Sequence, residues 1–273
     1  MTRHRADSDS QITLTTLNAM RRRGERFAVL TAYDASFAAL LDEAGVEVIL
    51  VGDSLGMVIQ GHDTTLPVTV DDMVYHTRCV ARGSRRALVM ADMPFMSFAS
   101  PEQALRNAAR LMQQGGAHAV KLEGGAAQGE TVVHLARNGI PVCAHLGLQP
   151  QSVHKLGGYR VQGRDAAAAE AMLADARALQ EAGADLLLLE CVPAELARRI
   201  TEAVDLPVIG IGAGPHPDAQ VLVLYDILGI SPGRRPKFAR DFTEGSAGVR
   251  QAVQSYVRAV KDGGFPGPEH TFQ

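Results

Sequence analysis

Along this chain, short and almost wholly apolar runs alternate with stretches in which apolar residues recur every three or four positions. Runs apolar on both faces are the mark of strands covered on both sides, and they fall at residues 27–33, 46–52, 87–93, 119–124, 141–146, 186–191, 207–212 and 221–226. Between the first two, Phe37, Leu40, Leu41 and Ala44 keep helical spacing, and Gly45 stops the helix. Ser100, Pro101 and Gln103 supply an N-cap, an N1 proline and a capping-box glutamine ahead of Ala104, Leu105, Ala108, Leu111 and Met112; Gly115 and Gly116 end that helix. Further helices are predicted over 165–183, with Met172, Ala176 and Leu179 on one face, over 193–204, with Leu196, Ala197 and Ile200, and over 246–261.

Eight strands alternating with helices predict an α/β fold, a single-domain (β/α)8 TIM barrel. Two places depart from the ideal repeat. The connection between the seventh and eighth strands is too short for a full helix, and residues 229–241 read as a Gly/Pro/Arg-rich loop. The closing GGFPGPEHTF is expected to act as a docking segment, on a neighbouring subunit.

Composition narrows the function. A chain of 273 residues suits one α/β barrel, which commonly takes about 250 residues. At 46% hydrophobic and 21% charged it has the make-up of a protein with a sizeable core. A net charge of -3 gives no overall attraction to nucleic acid or an anionic membrane, which leaves small molecules as the expected partners. Cys79, Cys143 and Cys191 are odd in number, widely spaced and free of any C-x-x-C pair, which argues against a disulfide framework or a structural zinc site and for a reducing compartment. Residues 1–11 carry charges without the apolar core of a signal peptide and are expected to be a disordered tail before a catalytic domain over 12–273; no apolar run approaches a membrane span.

In a barrel of this kind the working residues stand at the C-terminal ends of the strands. The second strand ends in Asp53 and Ser54, the third in Asp92, the fourth in Lys121 and Glu123, the fifth in His145 and the sixth in Glu190. A single strand-end carboxylate is more often a cap for the next helix. Five consecutive strands reaching the same rim with ionisable groups point instead to a site. Because side chains alternate, Lys121 and Glu123 share a face, the barrel interior if Val120 and Leu122 pack against helices. Carboxylates converging there need positive compensation, and hard oxygen donors favour magnesium over zinc.

Several readings stay open at this level. Lys121 as a Schiff-base amine competes with Lys121 as an ammonium held by its carboxylate neighbours. The GIGAG glycines, Gly210, Gly212 and Gly214, fit a phosphate approach only weakly, since sharp turns also need glycine. His145 is without an assigned role, and His62 and His76 are read as structural.

The blocks LTAYD (30–34), VGDSLGM (51–57), GHDTTLPVT (61–69), ADMPFMS (91–97), KLEGG (121–125), PVCAHLGLQPQS (141–152), GGYRVQGR (157–164), LLLLECVP (186–193), PVIGIGAG (207–214) and PKFAR (236–240) together resemble the ketopantoate hydroxymethyltransferase family. They follow in family order and cover nearly the whole chain. QQGGAH (113–118) is one residue longer than the family pattern, and SPGRRPKF (231–238) is unusually rich in arginine.

The resemblance implies metal and substrate contacts at Asp53 and Asp92, a third carboxylate at the magnesium in Glu123, substrate contacts at Ser54 and Lys121, and a proton acceptor in Glu190. It implies transfer of a hydroxymethyl group from 5,10-methylenetetrahydrofolate to 3-methyl-2-oxobutanoate, giving 2-dehydropantoate for pantothenate and coenzyme A synthesis. The expected route is a magnesium-stabilised enolate. A cytoplasmic homodecamer is also implied. The rivals are a magnesium-dependent C–C lyase of the isocitrate lyase and phosphoenolpyruvate mutase group and a non-catalytic 2-oxo-acid binder. The lyase expects a reactive-cysteine loop of K-K-C-G-H type that this chain lacks.

Overall fold

A computed structural model describes residues 10–231 and 233–273. Its strands are β1 Phe27–Thr31, β2 Val48–Val51, β3 Leu88–Asp92, β4 Ala119–Glu123, β5 Val142–Gly147, β6 Leu186–Glu190, β7 Val208–Ile211 and β8 Ala219–Leu222. They run in sequence order around a closed barrel, with β8 beside β1. Every pairing is parallel. Each strand except β5 and β6 is buried along its whole length, and those two become partly exposed only at Gly147 and Glu190.

The helices begin where local chemistry starts them. Asp34 accepts from the backbone N–H of Ser36 and Phe37 to open Ala35–Ala44, and Gly45 closes it at φ 90, a left-handed turn that glycine takes without strain. Ser100 caps Pro101–Gln113 through the N–H of Gln103. The expected capping box is not formed there. The Gln103 side chain reaches one residue further back, accepting from the Ala99 N–H at 3.0 Å and donating to the Met96 carbonyl at 2.9 Å, because the 93–99 loop turns under the helix start.

Ala166–Glu181 and Ala194–Ala203 follow the predicted faces. The last helix starts at Val249 rather than 246, since the Ser246 hydroxyl donates back to the Phe242 carbonyl instead of capping. A further helix, Leu14–Arg22, packs Leu17 fully into the core under a Thr13 cap. Of the tail expected over 1–11, residues 1–9 lie outside the described residues.

One more expectation changes. The eighth strand was placed at 221–226, but β8 ends at Leu222 and Leu224–Ile227 coils into a short helix. The apolar run continues through both, so its pattern does not mark the break; the Thr31 hydroxyl does, accepting from the Leu224 N–H at 2.9 Å. The C-terminal segment packs on its own barrel. Phe265 is 2% exposed against Phe242 and Tyr256, the Phe272 carbonyl accepts from the Ala194 N–H at 3.0 Å, and Lys237 Nζ donates to the Thr271 carbonyl at 2.7 Å. The β7–β8 connection holds no helix, as its length requires.

Candidate active site

Strand register assembles the rim. It sets Asp92 beside Lys121 and Glu123 beside His145; Asp92 and Glu123 end β3 and β4, and Lys121 and His145 stand two residues before the ends of β4 and β5. Asp53 and Ser54 follow β2 after Gly52, and Glu190 ends β6. Asp53, Ser54, Asp92, Lys121, Glu123, His145 and Glu190 all line one cavity of about 520 Å³. All the strand-end positions singled out in the sequence therefore meet in one place.

Within it Lys121 Nζ lies 2.7 Å from Asp92 Oδ1 and 3.2 Å from His145 Nδ1. The Asp53 backbone N–H donates to Asp92 Oδ2 at 3.0 Å. Gln151 ties the carboxylates together. Its side-chain amide donates to Asp53 Oδ2 and to the Met93 carbonyl, both at 2.9 Å, while its backbone N–H donates to Glu123 Oε2 at 3.1 Å. Ser54 Oγ shares a 2.8 Å hydrogen bond with the Tyr33 hydroxyl.

Burial sets the charges. It pushes Asp53 up to about 7, with the neighbouring Asp92 charge adding to it. Burial likewise holds Glu123 well above the usual carboxylate range and Glu190 at about 7, with Lys121 opposing in both cases. Burial alone would discharge Lys121, but Asp92, Glu123 and Asp53 outweigh it and raise its pKa. The amine is thus an ammonium, which a Schiff base could not use.

His145 is pulled well below its ordinary value, first by burial and then by Lys121. A neutral ring that accepts from the Lys121 ammonium at Nδ1 keeps its proton on Nε2, and that atom lies 3.4 Å from Glu190 Oε2. His145 therefore stands between the cationic and acidic sides of the mouth, hydrogen-bonded on the Lys121 side.

Among the described residues no three His, Cys, Asp or Glu side chains are gathered to grip a metal ion by themselves. Magnesium does not require it, because it keeps several waters and takes only one or two carboxylates. Asp53 and Asp92 are such a pair, buried at 4% and 3% exposure and mutually repelling. Glu123 Oε1 is buried without a hydrogen-bond donor among the described residues, an oxygen that a cation could satisfy. The donor set fits a hard divalent cation.

A model of the ketopantoate hydroxymethyltransferase family matches residues 11–268. The chain belongs to that family. It is 64% identical over 261 residues to a 3-methyl-2-oxobutanoate hydroxymethyltransferase of Alkalilimnicola ehrlichii, covering 96% of this chain and 94% of that one. It is 63% identical over 256 residues to the protein of the same name from Nitrosococcus oceani, covering 94% and 97%. Among solved structures it is similar in fold to phosphonopyruvate hydrolase in complex with oxalate and magnesium, at a TM-score of 0.61 and 15% identity over 94% of this chain and 92% of that one. A 2,3-dimethylmalate lyase aligns at a TM-score of 0.58 and 20% identity over 79% and 82%. Family membership makes this chain an enzyme, a transferase.

Several residues of the family barrel were not singled out by strand-end reasoning. Gln151 lies beyond β5 inside the LQPQS block, and an uncharged loop residue carries no rim signal. Tyr33 sits past β1 and reaches Ser54 only through the curvature of the barrel. Gly212 answers the GIGAG question: at φ 59, a Cβ there would stand 3.0 Å from Phe238 and 3.1 Å from Phe272, so the glycine admits an aromatic wall to the cavity. His76 donates from Nδ1 to the Tyr33 carbonyl at 2.8 Å, a structural role, and His62 is exposed.

Proposed function

We propose that this enzyme transfers a hydroxymethyl group from 5,10-methylenetetrahydrofolate to 3-methyl-2-oxobutanoate, yielding 2-dehydropantoate and tetrahydrofolate. The observation that carries the reading is the division of the cavity mouth into a cation-binding side, Asp53 and Asp92 with Lys121, and a carboxylate, Glu190, held near neutrality by burial. A 2-oxo acid is a bidentate chelator with a weakly acidic C3–H, and these two sides meet its two needs.

Magnesium would be held by Asp53 and Asp92, with Glu123 as the further carboxylate; when bound it supplies Lewis-acid polarisation of the substrate's oxo and carboxylate oxygens. Lys121 places a fixed positive charge for the substrate's anionic oxygens, and Ser54, oriented by Tyr33, offers a hydroxyl beside it. Glu190 takes the C3 proton. A base with a pKa near 7 is matched to carbon-acid chemistry at neutral pH, since a stronger acid would be too weak a base. His145 Nε2 lies 3.4 Å from Glu190 Oε2, beside the carboxylate that receives the proton.

The carbanionic C3 then forms a bond to the folate's one-carbon unit. One water enters overall. Its oxygen becomes the new hydroxyl, and N5 and N10 of the folate together gain two hydrogens as tetrahydrofolate departs.

The test is production of 2-dehydropantoate from the two substrates, with and without magnesium, in the parent and in Glu190→Gln. Turnover should require magnesium and fall by roughly 10²- to 10⁴-fold in the variant, while binding of the oxo acid persists. A well-folded, magnesium-loaded parent without turnover would sink the reading.

A further inference from the structure

The cavity is larger than its charged side. A five-carbon oxo acid engages the groups at the ends of β2 to β6, whereas the rest is lined from the ends of β7 and β8 and the segments beyond them, among them Val223, Asp226, Arg234, Phe238 and Phe272. Among the described residues Asp226 is the one acidic group lining this half, which Arg234 and Lys237 also line. It lies in the short helix Leu224–Ile227, is 7% exposed, and has no part in the chemistry described above. Its Oδ1 accepts from the Ser231 hydroxyl at 2.5 Å, and among the described residues no donor reaches Oδ2. Burial holds its pKa above the ordinary carboxylate range, and the Ser231 hydrogen bond and the charge of Arg235 only partly offset this. A cavity-lining carboxylate oxygen without a protein donor can accept N–H groups from a ligand.

The two substrates differ in what they offer such a group. The oxo acid presents only acceptor oxygens and would be repelled. The pterin of a folate carries two adjacent N–H donors on one edge, N3–H and the 2-amino group, a pattern that a carboxylate accepts bidentately. Its flat faces suit aromatic and apolar walls. Phe238 and Phe272, admitted by Gly212, provide one. Arg234 is exposed at the mouth of the same half, a positive charge where an anionic glutamyl tail would emerge.

We propose that Asp226 is the pterin anchor of this cavity, its carboxylate accepting N3–H and the 2-amino group of the folate while Phe238 and Phe272 form a wall beside the ring. The assignment rests on the folate-dependent transfer proposed above and adds the place where the folate is held.

Two variants and one analogue separate a binding role from a structural one. Asp226→Asn keeps an oxygen for Ser231 but loses the second acceptor; Ser231→Ala cuts the tie to the loop and leaves the carboxylate. Asp226→Asn should weaken tetrahydrofolate binding in calorimetry and raise the KM for 5,10-methylenetetrahydrofolate, each roughly 10- to 100-fold, with oxo-acid affinity and melting temperature held. Ser231→Ala should stay near the parent in folate affinity. A tetrahydrofolate lacking the 2-amino group should bind the parent more weakly than tetrahydrofolate does, and Asp226→Asn should erase that preference.

Equal folate affinity in parent and Asp226→Asn, equal loss in Ser231→Ala, or no preference of the parent for the amino-bearing pterin would each overturn the anchor while folate-dependent turnover stands. A parent that makes no product from the folate would overturn the reaction and the anchor together.

Discussion

At the scale of single residues, the site is governed by the cost of burying charge. Glu190 is the clearest case. Its carboxylate is raised to about 7 chiefly by burial, with Lys121 acting against the rise. With magnesium bound, log kcat/KM should therefore climb with unit slope and level at or below about pH 7, because a cation in the same mouth draws the carboxylate down, and an acid limb that survives unchanged in Glu190→Gln would contradict the assignment of Glu190 as base. The same shift bears on stability. A carboxylate whose folded pKa lies above its unfolded value disfavours the fold once it ionises, so stability is lost as pH rises from about 4.5 through about 7. Glu190→Gln should then stabilise the protein by about 1–3 kcal/mol at pH 8 and leave it unchanged at pH 4, as read from denaturant melts at the two pH values. All the strand-end residues were legible in the sequence because strand ends in this fold are where function is put. Asp226 and Gln151 were not, because one sits in a helix that the apolar pattern merged with a strand and the other is an uncharged loop residue.

At the scale of elements, the ends of β5 and β6 fix Glu190, the proposed base. Gly147 pairs with Glu190, has φ +92, and a Cβ there would meet the Glu190 carbonyl oxygen at 2.1 Å. The next residue, Leu148, donates its N–H to that carbonyl at 2.8 Å. Immediately after the base, Cys191 takes a φ of 48, a left-handed turn uncommon for a side-chain-bearing residue, which swings the chain off the rim. Gly147→Ala should cost about 1–3 kcal/mol of stability and lower kcat at least tenfold through displacement of Glu190. A variant with parental kcat would show that the backbone contact does not aim the base. Seven strands were legible from their apolar runs, whose covered faces leave no alternation to confuse. The eighth was not, because Val221 to Ile227 is apolar whether extended or coiled and a hydroxyl from β1 makes the choice.

At the scale of the whole molecule, closing eight parallel strands gathers groups more than a hundred residues apart into one mouth, among them Asp53 and Glu190. The proposed magnesium would relieve the repulsion between Asp53 and Asp92. Magnesium at a hundred times its dissociation constant should stabilise the fold by about 2.7 kcal/mol, and Asp53→Asn should remove that gain; an unchanged melting curve in the parent would argue against the site. The homodecamer implied by the family resemblance is checked by native mass spectrometry, where ten chain masses are expected and a monomer would refute it.

The sequence by itself determined the architecture, the rim and the family, because strand and helix periods and strand-end charges are local features written in order along the chain. Tertiary structure alone decided which atoms face one another. The neutral His145 between Lys121 and Glu190, the hold of Gln151 on two carboxylates, the short helix after β8 and the return of the C-terminal segment onto its own barrel all depend on distances between segments remote in the chain. Burial sets the ionisation of Asp53, Glu123 and Glu190, and burial exists only once the barrel has closed.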